Sequence, residues 1–253
     1  MTCYRDSVAV SALLVLLQLT PLSAAEPDST LPPWFEQNRV QAHFENGIQD
    51  DLDGLYQQLH PVIRSMGAEV LTRIFKTVGE GAWWPTAVGE THAALRGRDL
   101  GAEIAREAHA NGLKVMAYYR IMCDDFIERE HPEWLCRDMA GNLVLEPRTR
   151  RRPDPQDRKH IICFNSPARE WIETRLLELA QRGVDGIYFD SWHMPEVCTC
   201  ESCRAAYRRE TGRPMDLTAE RGSTEYRSMT QFVAKTIVRS FRLTSPLDRS
   251  TLA

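Results

Sequence analysis

Four apolar segments, each followed by a stretch with helical periodicity, constrain the fold of this chain more than any other feature. Nearly continuous apolar strands that alternate with amphipathic helices are typical of a parallel sheet with helices packed on its faces. The predicted strands are residues 41–45, 69–76, 113–120 and 184–190, and the predicted helices are residues 50–64, 100–111, 168–182 and 225–241. The pattern therefore predicts an α/β fold.

Two architectures contain such a sheet, the (β/α)8 TIM barrel and the open doubly wound sheet. The glycine-rich G-x-G-x-x-G motif does not follow the first strand, so the dinucleotide-binding form of the doubly wound sheet loses its usual support. Polar and aromatic residues gather instead after the strands, where barrel enzymes build their active sites. We predict a TIM barrel that is truncated after about four βα units, because eight units take about 250 residues.

The N-terminus has the pattern of an export signal. Arg5 precedes an apolar run over residues 8–19, and small residues end at Ala25. The run is shorter than the ~20 residues that span a bilayer as a helix, and its flanks match a cleaved signal. We predict a signal peptide at 1–25, a linker at 26–40, half of a glycosidase-like barrel at 41–242 and an irregular tail at 243–253. The mature protein is expected to be secreted or periplasmic, without a membrane anchor.

Charge and topology limit the partners. A net charge of −4 and an isoelectric point of about 6.0 argue against a general nucleic-acid binder. Half of a barrel would leave the edges of its first and last strands unpaired, which favours association. A homo-oligomer is therefore among the expected states of this chain, and no nucleic acid is expected among its partners.

A cysteine cluster is the strongest chemical signal. Cys198, Cys200 and Cys203 directly follow the fourth predicted strand, and three thiols at this spacing can bind one tetrahedral zinc ion. A closed structural site needs a fourth ligand, and Cys163 is the best candidate because it precedes the helix that leads into that strand. Cys136 and Cys123 are the alternatives. Disulfide bonds, which exported proteins favour, are the competing interpretation.

The cysteine pattern resembles the zinc-binding pattern of family 42 β-galactosidases. In that family a cysteine just before Asn-Ser-Pro joins a C-x-C-x₂-C motif after strand four, as residues 163–167 and 198–203 do here. The resemblance implies that Cys163 is the fourth zinc ligand.

Other stretches are similar to α-L-fucosidases, namely residues 75–86, 98–100, 110–119 and 185–190. The last of these is similar to the strand that carries the fucosidase nucleophile. The combination most resembles hypothetical glycosyl hydrolase families that join a fucosidase-like barrel to this cysteine cluster, over roughly residues 43–214. The resemblance implies a glycoside hydrolase with a structural zinc ion.

Glycoside hydrolysis in its usual form uses two carboxyl groups. Asp190 ends the fourth predicted strand, and we predict that it is the nucleophile of a retaining enzyme; the alternative is an aspartate that caps the next segment or braces the cysteine loop. Glu80 is a weaker candidate for the second carboxylate. We expect the general acid/base on strands five to eight, and therefore expect this chain alone to be inactive.

The candidate sugar-binding residues follow the predicted strands. His43, Lys76 and His193 offer hydrogen bonds to sugar hydroxyls, although polar residues at a barrel mouth also brace loops. Trp83, Trp84 and Trp192 offer rings that stack on a pyranose, although the first two serve equally well in packing. A non-catalytic carbohydrate-binding or degenerate half-barrel is the alternative function. Carbohydrate is the expected ligand in both cases.

Overall fold

Four parallel strands form one sheet in sequence order, β1 (Gln41–Phe44), β2 (Val70–Lys76), β3 (Lys114–Arg120) and β4 (Gly186–Asp190). The computed structural model describes residues 40–76, 81–147, 158–190 and 194–243, together with Trp34, Gln37 and Asp154. Each of the four predicted strands is present, and their parallel pairing confirms the predicted α/β class.

Seven helices occur in the described ranges: α1 (Ile48–Leu52), α2 (Leu55–Ser65), α3 (Leu100–Ala110), α4 (Asp125–Glu130), α5 (Ala168–Gln181), α6 (Glu201–Thr211) and α7 (Thr224–Leu243). The helix predicted over residues 50–64 is broken in two at Gly54, whose φ of 89° lies in the left-handed region that favours glycine. Asp99 caps α3 as its sequence position predicts, since its carboxylate accepts a hydrogen bond from the Ala102 amide at 3.0 Å.

The two faces of the sheet differ in burial. On β3 the residues Val115, Ala117 and Tyr119 are fully buried and belong to a core that includes α3 and α5. The alternate residues of the same strand are only partly buried. Because successive side chains of a strand point to opposite faces, these alternate residues define a second face, which we call the inner face.

Strand register sets which side chains meet on the inner face. Tyr118 is paired with Tyr188, and Arg120 is paired with Asp190 at the carboxyl ends of β3 and β4. His43 is in ring contact with Tyr118 and so lies on the same face. The inner face therefore carries aromatic rings that lead up to a carboxylate at the strand ends.

The long segment between β3 and α5 folds back on itself. Antiparallel bridges join Leu135 to Ile162, Arg137 to Leu143 and Leu145 to His160. The backbone amide of Cys163 donates to the Trp134 carbonyl at 2.8 Å. This small ladder brings cysteines that are distant in sequence to one place.

A helix that the sequence analysis did not predict begins inside the cysteine motif. Cys200 is the N-cap of α6, and its sulfur accepts a hydrogen bond from the Cys203 amide at 3.4 Å. Helix α6 buries only Cys203 and Tyr207, so its sequence lacks the apolar periodicity that signals an amphipathic helix.

The predicted signal peptide, most of the linker and the predicted tail after Leu243 lie outside the described residues. Among the described helices, none has the length and apolar character needed to span a bilayer.

Candidate functional site

Asp190 is the carboxylate at the end of β4 on the inner face. The Tyr118 hydroxyl, on the neighbouring strand, donates a hydrogen bond to Asp190 Oδ2. Burial raises the pKa of Tyr118 above its ordinary value, and the hydrogen bond to Asp190 and the charge of that carboxylate raise it further. Tyr118 therefore remains a protonated donor across the ordinary pH range, and it fixes one oxygen of the Asp190 carboxylate.

Three rings form a wall below this carboxylate. The His43 ring meets Tyr118 and Tyr188 edge-on, with centroids 5.8 and 5.5 Å away. The rings of Tyr118 and Tyr188 are stacked at 5.8 Å, and Tyr188 is 39% exposed. The wall is therefore partly accessible to solvent, and His43, a predicted sugar ligand, lies in it.

Lys76, a predicted sugar ligand or loop brace, is buried at the end of β2. Its ammonium is 1% exposed and forms an ion pair with Asp124 at 3.0 Å. It also donates to the Cys123 carbonyl at 3.3 Å. Burial lowers the pKa of Lys76 despite the neighbouring carboxylate. These contacts favour the loop-bracing alternative over contact with a sugar.

Trp83 and Trp84 are both fully buried, with no exposed ring surface. The Trp84 indole nitrogen donates to Glu178 at 2.7 Å, and the Arg175 guanidinium lies 5.9 Å from the centre of the Trp84 ring. The Trp84 ring thus packs against residues of α5, and the Trp83 ring belongs to the buried core, which favours the packing alternative for both. Stacking on a sugar would require them to become exposed.

Trp192, His193 and Glu80 lie outside the described residues. The sugar-binding roles of Trp192 and His193 and the carboxylate role of Glu80 therefore stay predictions.

Glu146 is a carboxylate near the strand ends that sequence reasoning missed. Its side chain accepts a hydrogen bond from Arg120 and another from the Lys159 amide at 3.2 Å. Arg120 is the residue that the sheet register pairs with Asp190. Glu146 comes from the long segment between β3 and α5, where no periodicity signals its position.

The cysteines of the predicted zinc site converge. The sulfur atoms of Cys163, Cys198, Cys200 and Cys203 all lie within 4.8 Å of one another, and all four residues are buried. The Cys163 sulfur is 3.4 Å from both the Cys203 and the Cys200 sulfur. A tetrahedral zinc site with bonds of about 2.3 Å has sulfur atoms about 3.8 Å apart, so the four residues fit such an ion.

Neighbouring donors support thiolates in this cluster. The Asn165 side chain donates to the Cys203 sulfur at 3.3 Å, and Asn165 also bonds Thr236 on α7. Hydrogen bonds to sulfur tune a metal site and orient its ligands. The described cysteines are all free thiols, which favours the metal interpretation over disulfide bonds among them.

The chain is similar to a known protein family in sequence and to known glycosidases in structure. A family model described as Hypothetical glycosyl hydrolase 6 matches residues 56–191 of the 253. No curated protein matches the sequence significantly.

Solved structures of glycosidases share the fold. Alpha-L-fucosidase isoenzyme 2 from Paenibacillus thiaminolyticus aligns over 83% of this chain and 31% of its own, with a TM-score of 0.58 and 19% identity. The beta-galactosidase from the psychrophilic Marinomonas ef1 aligns over 80% of this chain and 34% of its own, with a TM-score of 0.54 and 17% identity. The chain thus has the fold of part of a TIM-barrel glycosidase, and it spans about a third of the length of each of these two proteins.

Proposed function

Since the chain belongs to the family described as hypothetical glycosyl hydrolase 6, we propose that it takes part in the hydrolysis of glycosidic bonds by a retaining mechanism in which Asp190 is the nucleophile. The observation that carries this proposal is the Asp190 carboxylate at the carboxyl end of β4, held by the Tyr118 hydroxyl. Barrel enzymes build their active sites at this end of the sheet.

In the proposed reaction, Asp190 attacks the anomeric carbon as the bond to the leaving oxygen breaks. The product of this step is a glycosyl ester of Asp190, which water then cleaves with overall retention. Tyr118 is a positioning residue, because its hydrogen bond holds the carboxylate in one orientation at the strand end. Positioning of this kind lowers the entropic part of the barrier.

A second carboxyl group must protonate the leaving oxygen and later activate water. Among the described residues we assign this role to none, because Glu146 is engaged by Arg120 and by the Lys159 amide. Leaving groups that depart as stable anions do not need this proton. Substrates with such leaving groups therefore test the nucleophile separately from the acid.

The proposed substrate is a carbohydrate. His43 and Tyr188 line the inner face beside Tyr118, and aromatic rings and imidazoles are suited to sugar faces and hydroxyls. His193 and Trp192, which follow Asp190 in sequence, are proposed to complete the sugar site. The mature protein is proposed to be exported, and self-association is proposed through β1 and β4, the outer strands of the described sheet.

The four-cysteine cluster is proposed to bind one structural zinc ion. When bound, zinc would supply a rigid cross-link with no open position for catalysis. Cys163 precedes α5, whereas the other three ligands lie between β4 and α6. Cys198 follows Asp190 by eight residues, so the cross-link would anchor the chain a short distance after the proposed nucleophile.

The alternative function is carbohydrate binding without hydrolysis, which the partly exposed ring wall favours. A panel of dinitrophenyl glycosides, assayed with the chain and with Asp190→Asn, separates the two. Hydrolysis that is lost in Asp190→Asn at unchanged folding supports the nucleophile. Saturable sugar binding with no release of dinitrophenolate, in this chain and in any longer form of the protein, supports the alternative.

A further inference from the structure

A fifth thiol adjoins the four-cysteine cluster. The backbone amide of Cys136 donates to the Ile161 carbonyl at 2.7 Å, beside the antiparallel bridge between Leu135 and Ile162. Paired residues of an antiparallel ladder share a face, and neighbours along a strand alternate. The side chains of Cys136 and Cys163 therefore lie on the same face of this ladder.

The loop that carries Cys198 is tied to the same ladder. The Thr199 amide donates to the Arg137 carbonyl at 2.8 Å, and the Thr199 hydroxyl donates to the Asp138 carbonyl. Because Thr199 follows Cys198 and Arg137 follows Cys136, these bonds hold the two cysteines side by side. The Cys136 thiol interacts with Cys198 and with Cys163.

Cys136 nevertheless lies outside the group of four whose sulfurs are within 4.8 Å of one another. It is fully buried, and its thiol donates a hydrogen bond to the Ile162 carbonyl, with the sulfur 3.5 Å from the oxygen. Because a thiol is a weak hydrogen-bond donor, this bond leaves the sulfur able to turn toward the cluster by rotation about a single side-chain torsion.

We propose that Cys136 is a reserve ligand, which replaces Cys163 or Cys198 when either is lost and so keeps four sulfur ligands on a thiophilic divalent ion. This inference rests on the proposed zinc site. A water molecule could also take the vacated position on the ion. The cluster is buried, however, which limits access of water, and zinc and cobalt ions favour a soft thiolate at a site of this kind.

Cys123 provides a matched control. It is as buried as Cys136, at 1% exposure, but its electrostatic neighbours are Glu146, Arg120, Lys76 and Glu128 rather than cluster cysteines. Burial raises the pKa of its thiol to about 12. Removal of Cys123 therefore removes a buried thiol from the chain without removing one from the cluster.

The experiment titrates the purified full chain with Co²⁺, whose thiolate-to-metal charge-transfer absorption grows with the number of coordinated thiolates. The variants are C136S, C163S, C163S/C123S and C163S/C136S, with C198S and C198S/C136S as a parallel series if C163S does not fold. Zn²⁺ affinity is measured for each by competition with a chromophoric chelator.

We expect wild type, C136S, C163S and C163S/C123S to share one four-thiolate spectrum, whereas C163S/C136S loses about a quarter of its intensity and at least tenfold in Zn²⁺ affinity. Identical spectra and affinities for C163S and C163S/C136S would overturn the reserve role. Loss of the four-thiolate spectrum in C136S alone would overturn it too, by making Cys136 a resident ligand. If the wild-type chain binds neither Co²⁺ nor Zn²⁺, the proposed zinc site itself is wrong. That outcome differs from the two that overturn only the reserve role of Cys136.

Discussion

The hydroxyl of Tyr118 donates a hydrogen bond to the carboxylate of Asp190 across two adjacent parallel strands, β3 and β4. Their Cα positions are not paired in the ladder: Tyr118 is opposite Tyr188, two residues before Asp190 on the same face. The tyrosine therefore reaches along the inner face to the strand end. This diagonal contact joins the ring wall to the proposed nucleophile.

Tyr118→Phe should slow the first step of the proposed reaction at least tenfold. The variant keeps the ring but releases the carboxylate from its fixed orientation, and a misplacement of about 1 Å of a reacting group can cost about 100-fold in rate. The rate of dinitrophenolate release measures the effect. Tyr207→Phe is the matched control. It removes a tyrosine hydroxyl that lies 2.8 Å from the Ser228 hydroxyl, in a contact between α6 and α7 rather than on the sheet. Equal rates for the two variants would contradict a positioning role for Tyr118.

Zinc should be present at about one ion per chain, and Cys200→Ser should lower both the zinc content and the midpoint of thermal unfolding. Structural zinc sites contribute folding free energy directly, because the site does not exist in the unfolded chain. Elemental analysis and a thermal melt measure the two quantities, with Cys123→Ser as the control that retains zinc. Disulfide bonds at Cys198, Cys200 or Cys203 in non-reducing mass spectrometry would rule the site out.

His60 should make the protein less stable in mild acid. It is fully buried, and neither ring nitrogen has a hydrogen-bond partner. Burial, and secondarily the charge of Arg73, lowers the pKa of His60 from 6.5 to about 4. The unfolded chain therefore binds the extra proton between these values, and the free energy of unfolding decreases as the pH falls from 6.5 toward 4.

The His60 contribution between pH 6.5 and 5 is expected to be about 2 kcal/mol at most, from about 1.4 kcal/mol per pH unit. Urea unfolding at pH 7 and pH 5 measures it. His60→Leu should flatten this part of the pH dependence. A His60→Leu variant with the same loss of stability between the two pH values would refute the assignment.

Arg73 and Asp51 should be strongly coupled. Both side chains are 0% exposed, and they form a buried ion pair between β2 and α1. Removing one partner leaves an unpaired buried charge, which costs about 3–5 kcal/mol, whereas replacing both can be close to neutral. Urea unfolding of Arg73→Met, Asp51→Asn and the double variant measures this coupling. Additive losses in the double variant would show that the pair acts as two independent groups.

The sequence predicts β2 best, because it is rich in β-branched and aromatic residues and all of its residues are buried. Strand β1 shows only an alternation of polar and apolar residues and is partly exposed. The sequence also predicts the meeting of Cys163 with the later cysteines, since parallel strand order places their loops at one end of the sheet. It does not predict the burial of Lys76, because its partner Asp124 lies 48 residues away and only the fold brings them together. It likewise cannot tell a buried loop tryptophan such as Trp84 from an exposed one.

Covalent trapping tests the central claim most directly. Fluorinated glycosyl fluorides lose fluoride without protonation, so attack by Asp190 needs no general acid. The carboxylate oxygen bonds to the anomeric carbon as fluoride departs. The second fluorine, on the sugar ring, slows hydrolysis of the resulting ester, so the adduct accumulates. The chain is incubated with a panel of such sugars and analysed by peptide mass spectrometry. The account predicts one adduct, on Asp190, that is absent from Asp190→Asn. An adduct on another carboxylate, or the same labelling of Asp190→Asn, would contradict it.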